Sequence, residues 1–212
     1  MAIDVVFADD AIIVLNKPSG LLSVPGRGDD KQDCLSSRVQ SHFVDALIVH
    51  RLDMATSGLL VMARGIANQR TLSDAFAART VQKRYEALVH GAIEPTPPLG
   101  MRISHPIIVD WPNRPLRIID AQRGKPSETL VHLMSRDLAA NTSRVSLEPL
   151  TGRSHQLRVH LLAIRHPILG DALYAPAAVA AMAPRLLLHA CALAFQHPVT
   201  GMPMAFDCRC DF

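Results

Sequence analysis

The sequence predicts an α+β fold: a mostly antiparallel mixed β-sheet core with flanking helices. Three observations lead there. Short apolar runs recur without a strict strand–helix–strand rhythm, which argues against a doubly wound sheet. Glu128 to Met134 and Ser143 to Leu147 alternate with period two and read as paired antiparallel strands. Few segments carry a helical pattern.

Taken in order, Val5-Val6-Phe7 and Ala11 to Leu15 are two strands broken by Asp9-Asp10, and Asn16-Lys17-Pro18-Ser19-Gly20 is a turn by composition. Leu35 to Phe43 suits a short helix. Ala46 to Val49 and Leu59 to Met62 read as buried strands, with Thr56-Ser57-Gly58 as the loop between them. Gly65 to Arg79 reads as a longer helix, loosely periodic at Ile66, Leu72, Ala75, Phe76 and Ala77. Tyr85 to Val89 is a strand, Pro95-Thr96-Pro97-Pro98 a surface loop, and Asp110 to Pro115 a turn around the only tryptophan. Thr151-Gly152-Arg153 opens a helix running to about Arg165, with Leu157, Leu161 and Ile164 on one face. Pro167 and Gly170 end it. Leu186 to Phe195 is strand-like, and Gly201 separates it from a last short strand. No repeat and no linker forces a split, so residues 1–212 are expected to form a single domain.

The bulk numbers narrow the classes. Of 212 residues, 49% are hydrophobic, enough for a sizeable core. The net charge of +3 is a mild basic bias, compatible with a nucleic-acid partner. Met1 to Ala11 carries three aspartates and no basic residue, unlike a signal peptide. No run of 18 apolar residues exists, so a cytoplasmic protein with reduced thiols is expected. Cys208-Arg209-Cys210 lacks the second pair that a zinc site needs.

Three polar clusters interrupt the apolar scaffold. In the first, Arg51 and Asp53 are two residues apart on a loop between core strands, a rigid and partly desolvated place for a catalytic carboxylate. A structural Arg–Asp pair capping the loop is the competing reading. The second is Lys83-Arg84-Tyr85-Glu86-Ala87. The third, Thr151 to His160, places Arg153, His155, Arg158 and His160 on a predicted helix start, where anions are favoured. Here the competing reading is a solvated face with Arg153 and Arg158 as surface cations. His50-Arg51-Leu52-Asp53 lacks the Gly-rich loop and D-F-G of a kinase. His155 and His160 lack the H-E-x-x-H spacing and glutamate of a zincin. His189 and His197 read as satisfied strand or turn residues.

The motifs together resemble the RluA family of RNA pseudouridine synthases. His50-Arg51-Leu52-Asp53 with Thr56-Ser57-Gly58 resembles its H-R-L-D-x-x-T-S-G motif, and Lys83, Tyr85, Ala87 and Gly91 its K-x-Y-x-A-x-x-x-G segment. Thr151 to His160 is similar to T-G-R-x-H-Q-L-R-x-H, Asn16 to Gly20 to the early K-P-x-G turn, and Gly170 to Tyr174 to G-D-x-x-Y. The S4-like RNA-binding domain of many members has no room in this chain. Asp110 to Pro115 and Leu22 to Arg27 are similar to the short branch that acts on both 23S rRNA and tRNA anticodon stem-loops.

The resemblance implies the pseudouridine synthase fold and an isomerase that detaches uracil from C1′, rotates it and rejoins it through C5. It implies no redox cofactor and no metal. Asp53 is then the catalytic residue, and carboxylates are competent nucleophiles or bases. Attack on the sugar, attack on the base and abstraction of a sugar proton all stand open to it. Tyr85 offers a stacking face and a hydroxyl. Arg158 is the family position that pairs with the catalytic aspartate, and a helix tolerates lysine there, so Arg158→Lys is expected to fold normally. Arg51 fills the space left by the flipped uridine; Lys83, Arg84, Arg153 and His155 are binding residues, although Arg153 could equally be buried and structural. RNA (a tRNA anticodon stem-loop and a 23S rRNA hairpin) is the expected partner of a monomer. Three alternatives stay open: a synthase of the large ribosomal subunit only, a non-catalytic RNA-binding module, and an N-glycoside hydrolase.

Overall fold

A computed structural model describes residues 3–212. The strands are β1 (Val5–Ala8), β2 (Ile12–Lys17), β3 (Ala46–Ile48), β4 (Ser57–Arg64), β5 (Gln82–His90), β6 (Met101–Ser104), β7 (Ile107–Val109), β8 (Arg117–Ile119), β9 (Glu128–Asp137), β10 (Thr142–Pro149), β11 (Leu188–Gln196) and β12 (Pro203–Asp207). The helices are α1 (Leu35–Gln40), α2 (Ile66–Ala77), α3 (Gln156–Ala163) and α4 (Ala177–Ala180). The chain divides into two compact units, Met1–Lys83 with His189–Asp211, and Arg84–Leu188 with Phe212. The α+β class follows directly: strands dominate, and the helices are few and short.

In the first unit β4 is the central strand. It is buried over its first seven residues, as a strand covered on both faces must be. β2 lies antiparallel to it from Ile12↔Ala63 to Lys17↔Gly58, β1 pairs with β2, and β3 pairs with β4 at Ala46↔Arg64. β11 runs parallel to β4 at His189↔Ser57 and Ala190↔Gly58, and β12 lies antiparallel to β11. Ile12, Val14, Leu59, Val61, Leu193 and Phe195 form the core, closed by Leu72 of α2. Gly58 explains itself here. Its φ is +109°, and a Cβ would stand 2.3 Å from the carbonyl oxygen of Ala190. Only glycine lets β11 approach β4 that closely.

In the second unit the antiparallel order is β5-β10-β9-β6. The predicted pairing of β9 with β10 holds, with Val145↔Leu133 and Leu147↔Val131 in register and a bulge at Arg144/Val145. Ala87, Val89, Val131, Val145 and Leu147 are the buried positions, alternating as a one-face sheet requires. β7 and β8 form a separate hairpin whose tip carries Trp111. Trp111 is 64% exposed, with the Arg114 guanidinium 4.8 Å from its ring centroid.

Two boundary differences bear on the site. Ser57 and Gly58 belong to β4, and the turn before it is Met54-Ala55. The parallel bonds to β11, a long-range contact, extend the strand through residues that favour a loop by composition. Likewise α3 starts at Gln156, not at Thr151. His155 at its N-cap has φ +58°, a left-handed conformation that breaks the helical path. Nor is α3 amphipathic: Gln156 to Leu161 are all buried.

Candidate active site

Asp53 sits half-buried on the loop between β3 and β4, flanked by exposed Arg51 and buried Leu52. Nearly every peptide around it is held. The Ser23 hydroxyl donates to the Leu52 carbonyl at 2.7 Å and accepts from the Leu52 amide at 3.1 Å. The Asp53 carbonyl accepts from the Thr56 amide at 3.1 Å, and the Gly20 amide donates to the Met54 carbonyl at 2.8 Å. Ser19 Oγ donates to the Ala55 carbonyl at 2.7 Å. A loop so thoroughly hydrogen-bonded holds its side chains in one orientation.

Lys17 stands beneath this loop. It is 0% exposed, and its Nζ donates to the carbonyls of Pro18 (2.9 Å), Leu21 (2.7 Å) and Met54 (3.0 Å). Burial pushes its pKa down to about 8, and the Asp53 carboxylate opposes that shift. A buried lysine was missed by reading Asn16 to Gly20 as an ordinary turn. Its only sequence signal is its place in the K-P-x-G stretch, at the end of an apolar run.

His50 precedes this loop, its ring stacked on Phe76 with centroids 4.4 Å apart. Its Nε2 accepts from the Val61 amide at 3.1 Å, so the ring proton of the neutral form lies on Nδ1. Burial, helped by the nearby Lys83 ammonium, lowers its pKa to about 3. The unfolded chain binds a proton near the ordinary pH 6.5 and the folded chain does not. Stability from His50 is therefore present above pH 6.5 and lost as pH falls towards 3. Between pH 6.5 and 5 the loss is expected to be about 1.5 kcal/mol. Urea unfolding of wild type and His50→Gln across that window checks this. The expectation is wrong if both lines have the same slope. Lys83 itself is half-buried, and burial is the main cause of its lowered pKa.

In the second unit, Tyr85 lies half-buried on β5 opposite Leu147 of β10. Arg84 is exposed beside it. Arg158 is no surface cation. It is 4% exposed, and its Nε and Nη2 donate to Asp171 Oδ2 and Oδ1 at 2.8 and 2.6 Å. Its Cζ lies 5.0 Å from the centroid of the Tyr174 ring. Such a buried fork is specific to arginine, which overturns the expectation that lysine there folds normally. Asp171 Oδ1 also accepts from the amides of Leu173 and Tyr174, closing the turn that follows Gly170.

Tyr174 ties this pair to His155. Its hydroxyl accepts from the Arg117 amide at 2.9 Å and shares a hydrogen bond with His155 Nδ1 at 2.5 Å. Asp171 and Tyr174 belong to the Gly170–Tyr174 stretch, but the partners they serve are 13 and 19 residues away along the chain. Gln156 is equally structural. Its Oε1 accepts from Thr151 Oγ1 and the Arg153 amide, and its Nε2 donates to the Glu128 carbonyl and Thr129 Oγ1. Thr129 in turn donates to Nδ1 of His160, whose Nε2 donates to the His105 carbonyl. Thus Gln156 and His160 hold the 151–155 loop against β9. Arg153 is half-exposed, with Nε on the Pro126 carbonyl at 3.3 Å.

The first unit thus places Arg51 and Asp53 on one braced loop, with Lys83 near its His50. The second places His155 and Arg158 on one network through Tyr174. Among the described residues, no group of three or more His, Cys, Asp or Glu could hold a metal ion. Among the described residues no helix is long and apolar enough to cross a membrane.

The family model described as RNA pseudouridylate synthase matches residues 11–163. The chain belongs to the RNA pseudouridylate synthase family. A protein of Escherichia coli O6:H1 named dual-specificity RNA pseudouridine synthase RluA is 50% identical over 208 residues, 98% of this chain and 93% of that protein. A Yersinia pestis protein of the same name is 49% identical over 98% of this chain and 99% of its own length. Among solved structures, human RNA pseudouridylate synthase domain containing 1 has a TM-score of 0.79 at 30% identity, covering 99% of this chain and 84% of that one.

Proposed function

We propose that the chain, over residues 1–212, is an RNA pseudouridine synthase that isomerises loop uridines in both a tRNA anticodon stem-loop and a 23S rRNA hairpin. The observation that carries the reading is the braced Asp53 loop. Asp53 stands half-buried between an exposed arginine and a buried ammonium. The site has the means to take a uridine that has left its stack, at a cost of a few kcal/mol. Arg51 projects next to Asp53 and fills the vacated space, its planar guanidinium stacking on bases.

Asp53 acts on the extracted uridine as nucleophile or base, and uracil returns to the sugar through C5. Tyr85 stacks on the uracil. Arg158, the position that corresponds to the family's aspartate partner, steadies the charge of the site. Its bond to Asp171 uses the Nε/Nη2 edge of the fork. Lys83, Arg153 and His155 bind RNA. At the β7–β8 tip, Trp111 and Arg114 offer a flat face to an unpaired base.

A compact footprint fits a net charge of only +3. The monomeric enzyme acts in the cytoplasm, on short stem-loops with an unpaired uridine. Incubating the protein with an isolated anticodon stem-loop and the matching rRNA hairpin, then mapping pseudouridine, tests this. Both RNAs should gain a mass-neutral isomer. Free uracil would point to a hydrolase, unchanged RNA to a binding module, and modification only of large folded rRNA to the ribosome-specific branch.

A further inference from the structure

The hydrogen bonds around Asp53 are not equivalent. Two peptides lie between Arg51 and Asp53, and one hydroxyl holds both. Ser23 Oγ accepts from the Leu52 amide of the 51–52 peptide at 3.1 Å. The same oxygen donates its proton to the Leu52 carbonyl of the 52–53 peptide at 2.7 Å. That second peptide is the one that enters Asp53, so its plane sets φ of the catalytic residue. The peptide leaving Asp53 is set by the bond from the Thr56 amide. Asp53 is therefore oriented from both sides, and the side facing Arg51 depends on one serine 29 residues away in sequence.

Ser23 is itself fixed. It is 3% exposed, and its carbonyl accepts from the Ser36 amide at 3.2 Å, while that of Leu22 accepts from the Leu35 amide at 2.8 Å. Those amides open α1, where a helix leaves its N–H groups without intrahelical partners. A continuous line of bonds thus runs from the start of α1 through Ser23 to the Asp53 peptide. No water competes for a serine so buried. Removing its hydroxyl leaves a buried donor and acceptor without their partner.

We propose that Ser23 is a positioning residue for catalysis, clamping the two peptides that set the directions of Arg51 and Asp53. The inference rests on Asp53 being the catalytic group. Reacting atoms must be held in near-attack geometry, and a misplacement of about 1 Å costs roughly a hundredfold in rate. The clamp acts on orientation and not on affinity, so its loss appears in kcat.

Ser23→Ala is expected to lower kcat on the stem-loop about tenfold or more, with KM within about threefold of wild type. Assays belong well below the melting temperature of the variant. The amide of Leu52 should exchange with solvent about tenfold faster, read by mass spectrometry of the peptide spanning the loop. Ser23→Cys puts a slightly larger group there with a weaker donor and acceptor, and its kcat should fall between the two. A folded Ser23→Ala enzyme with kcat within about twofold of wild type overturns the proposal, as does unchanged exchange at Leu52. Equal falls in kcat and melting temperature, with exchange faster across the whole first unit, would make Ser23 merely structural and overturn it too. The exchange measurement needs no substrate. A wild type that makes no pseudouridine defeats the functional reading separately, while exchange still decides the clamp.

Discussion

Replacing Asp53 with asparagine is expected to abolish isomerisation while leaving the fold and RNA binding nearly intact. Asparagine matches the shape of aspartate but supplies neither an anionic nucleophile nor a base. Loss of such a group costs on the order of 10²–10⁴ in rate, more where the group also forms a covalent bond. The backbone of the loop is held by Ser23, Thr56, Gly20 and Ser19, none of which bonds the Asp53 side chain in doing so. Those backbone bonds survive the substitution. Carbodiimide-dependent primer extension on RNA treated with the variant measures the product, and gel retardation measures binding. Activity within about tenfold of wild type would remove Asp53 from the centre of the chemistry.

Asp171→Asn is expected to destabilise the second unit by about 3–5 kcal/mol. The pair it breaks is 4% and 1% exposed, so the substitution removes an anion that faces a buried guanidinium. Asparagine retains the oxygen that accepts from the amides of Leu173 and Tyr174, so the loss reports the charge and not the turn. For a chain of this length the melting temperature should fall by roughly 6–20 °C. A second substitution separates charge from packing: adding Arg158→Met removes the buried cation as well and should recover part of the loss, because apolar replacements of buried pairs are often neutral. Urea unfolding of the single and double variants provides the comparison. A single variant within about 1 kcal/mol of wild type would mean that water reaches Arg158 and that the pair is not a buried one.

The candidate site was unevenly legible. Asp53 stands out as a carboxylate two residues from an arginine between two apolar runs, a pattern that a structural pair shares and that the family motif singles out. Lys17 does not, because nothing in its neighbours announces that an ammonium will be buried against three carbonyls. Ser23 is one serine among ordinary loop residues until Leu52 folds over it. Arg158 and Gln156 read as polar helix positions, yet both face inwards. Their burial depends on Asp171, Glu128 and Thr129 arriving from elsewhere in the chain.

What the sequence determined by itself is what rests on local pattern: the α+β class, the β9–β10 pairing from its alternation, and the helices near Leu35 and Ile66. Period and composition act between near neighbours, and those survive in any tertiary setting. The tertiary structure alone decided where β4 and α3 begin. It also decided which cations are buried, which nitrogen of His50 holds its proton, and which serine bonds the Leu52 carbonyl and amide. Each of these turns on a donor and an acceptor brought together from distant parts of the chain. A buried polar group takes whatever partner the fold delivers, and its own sequence neighbours do not specify that partner.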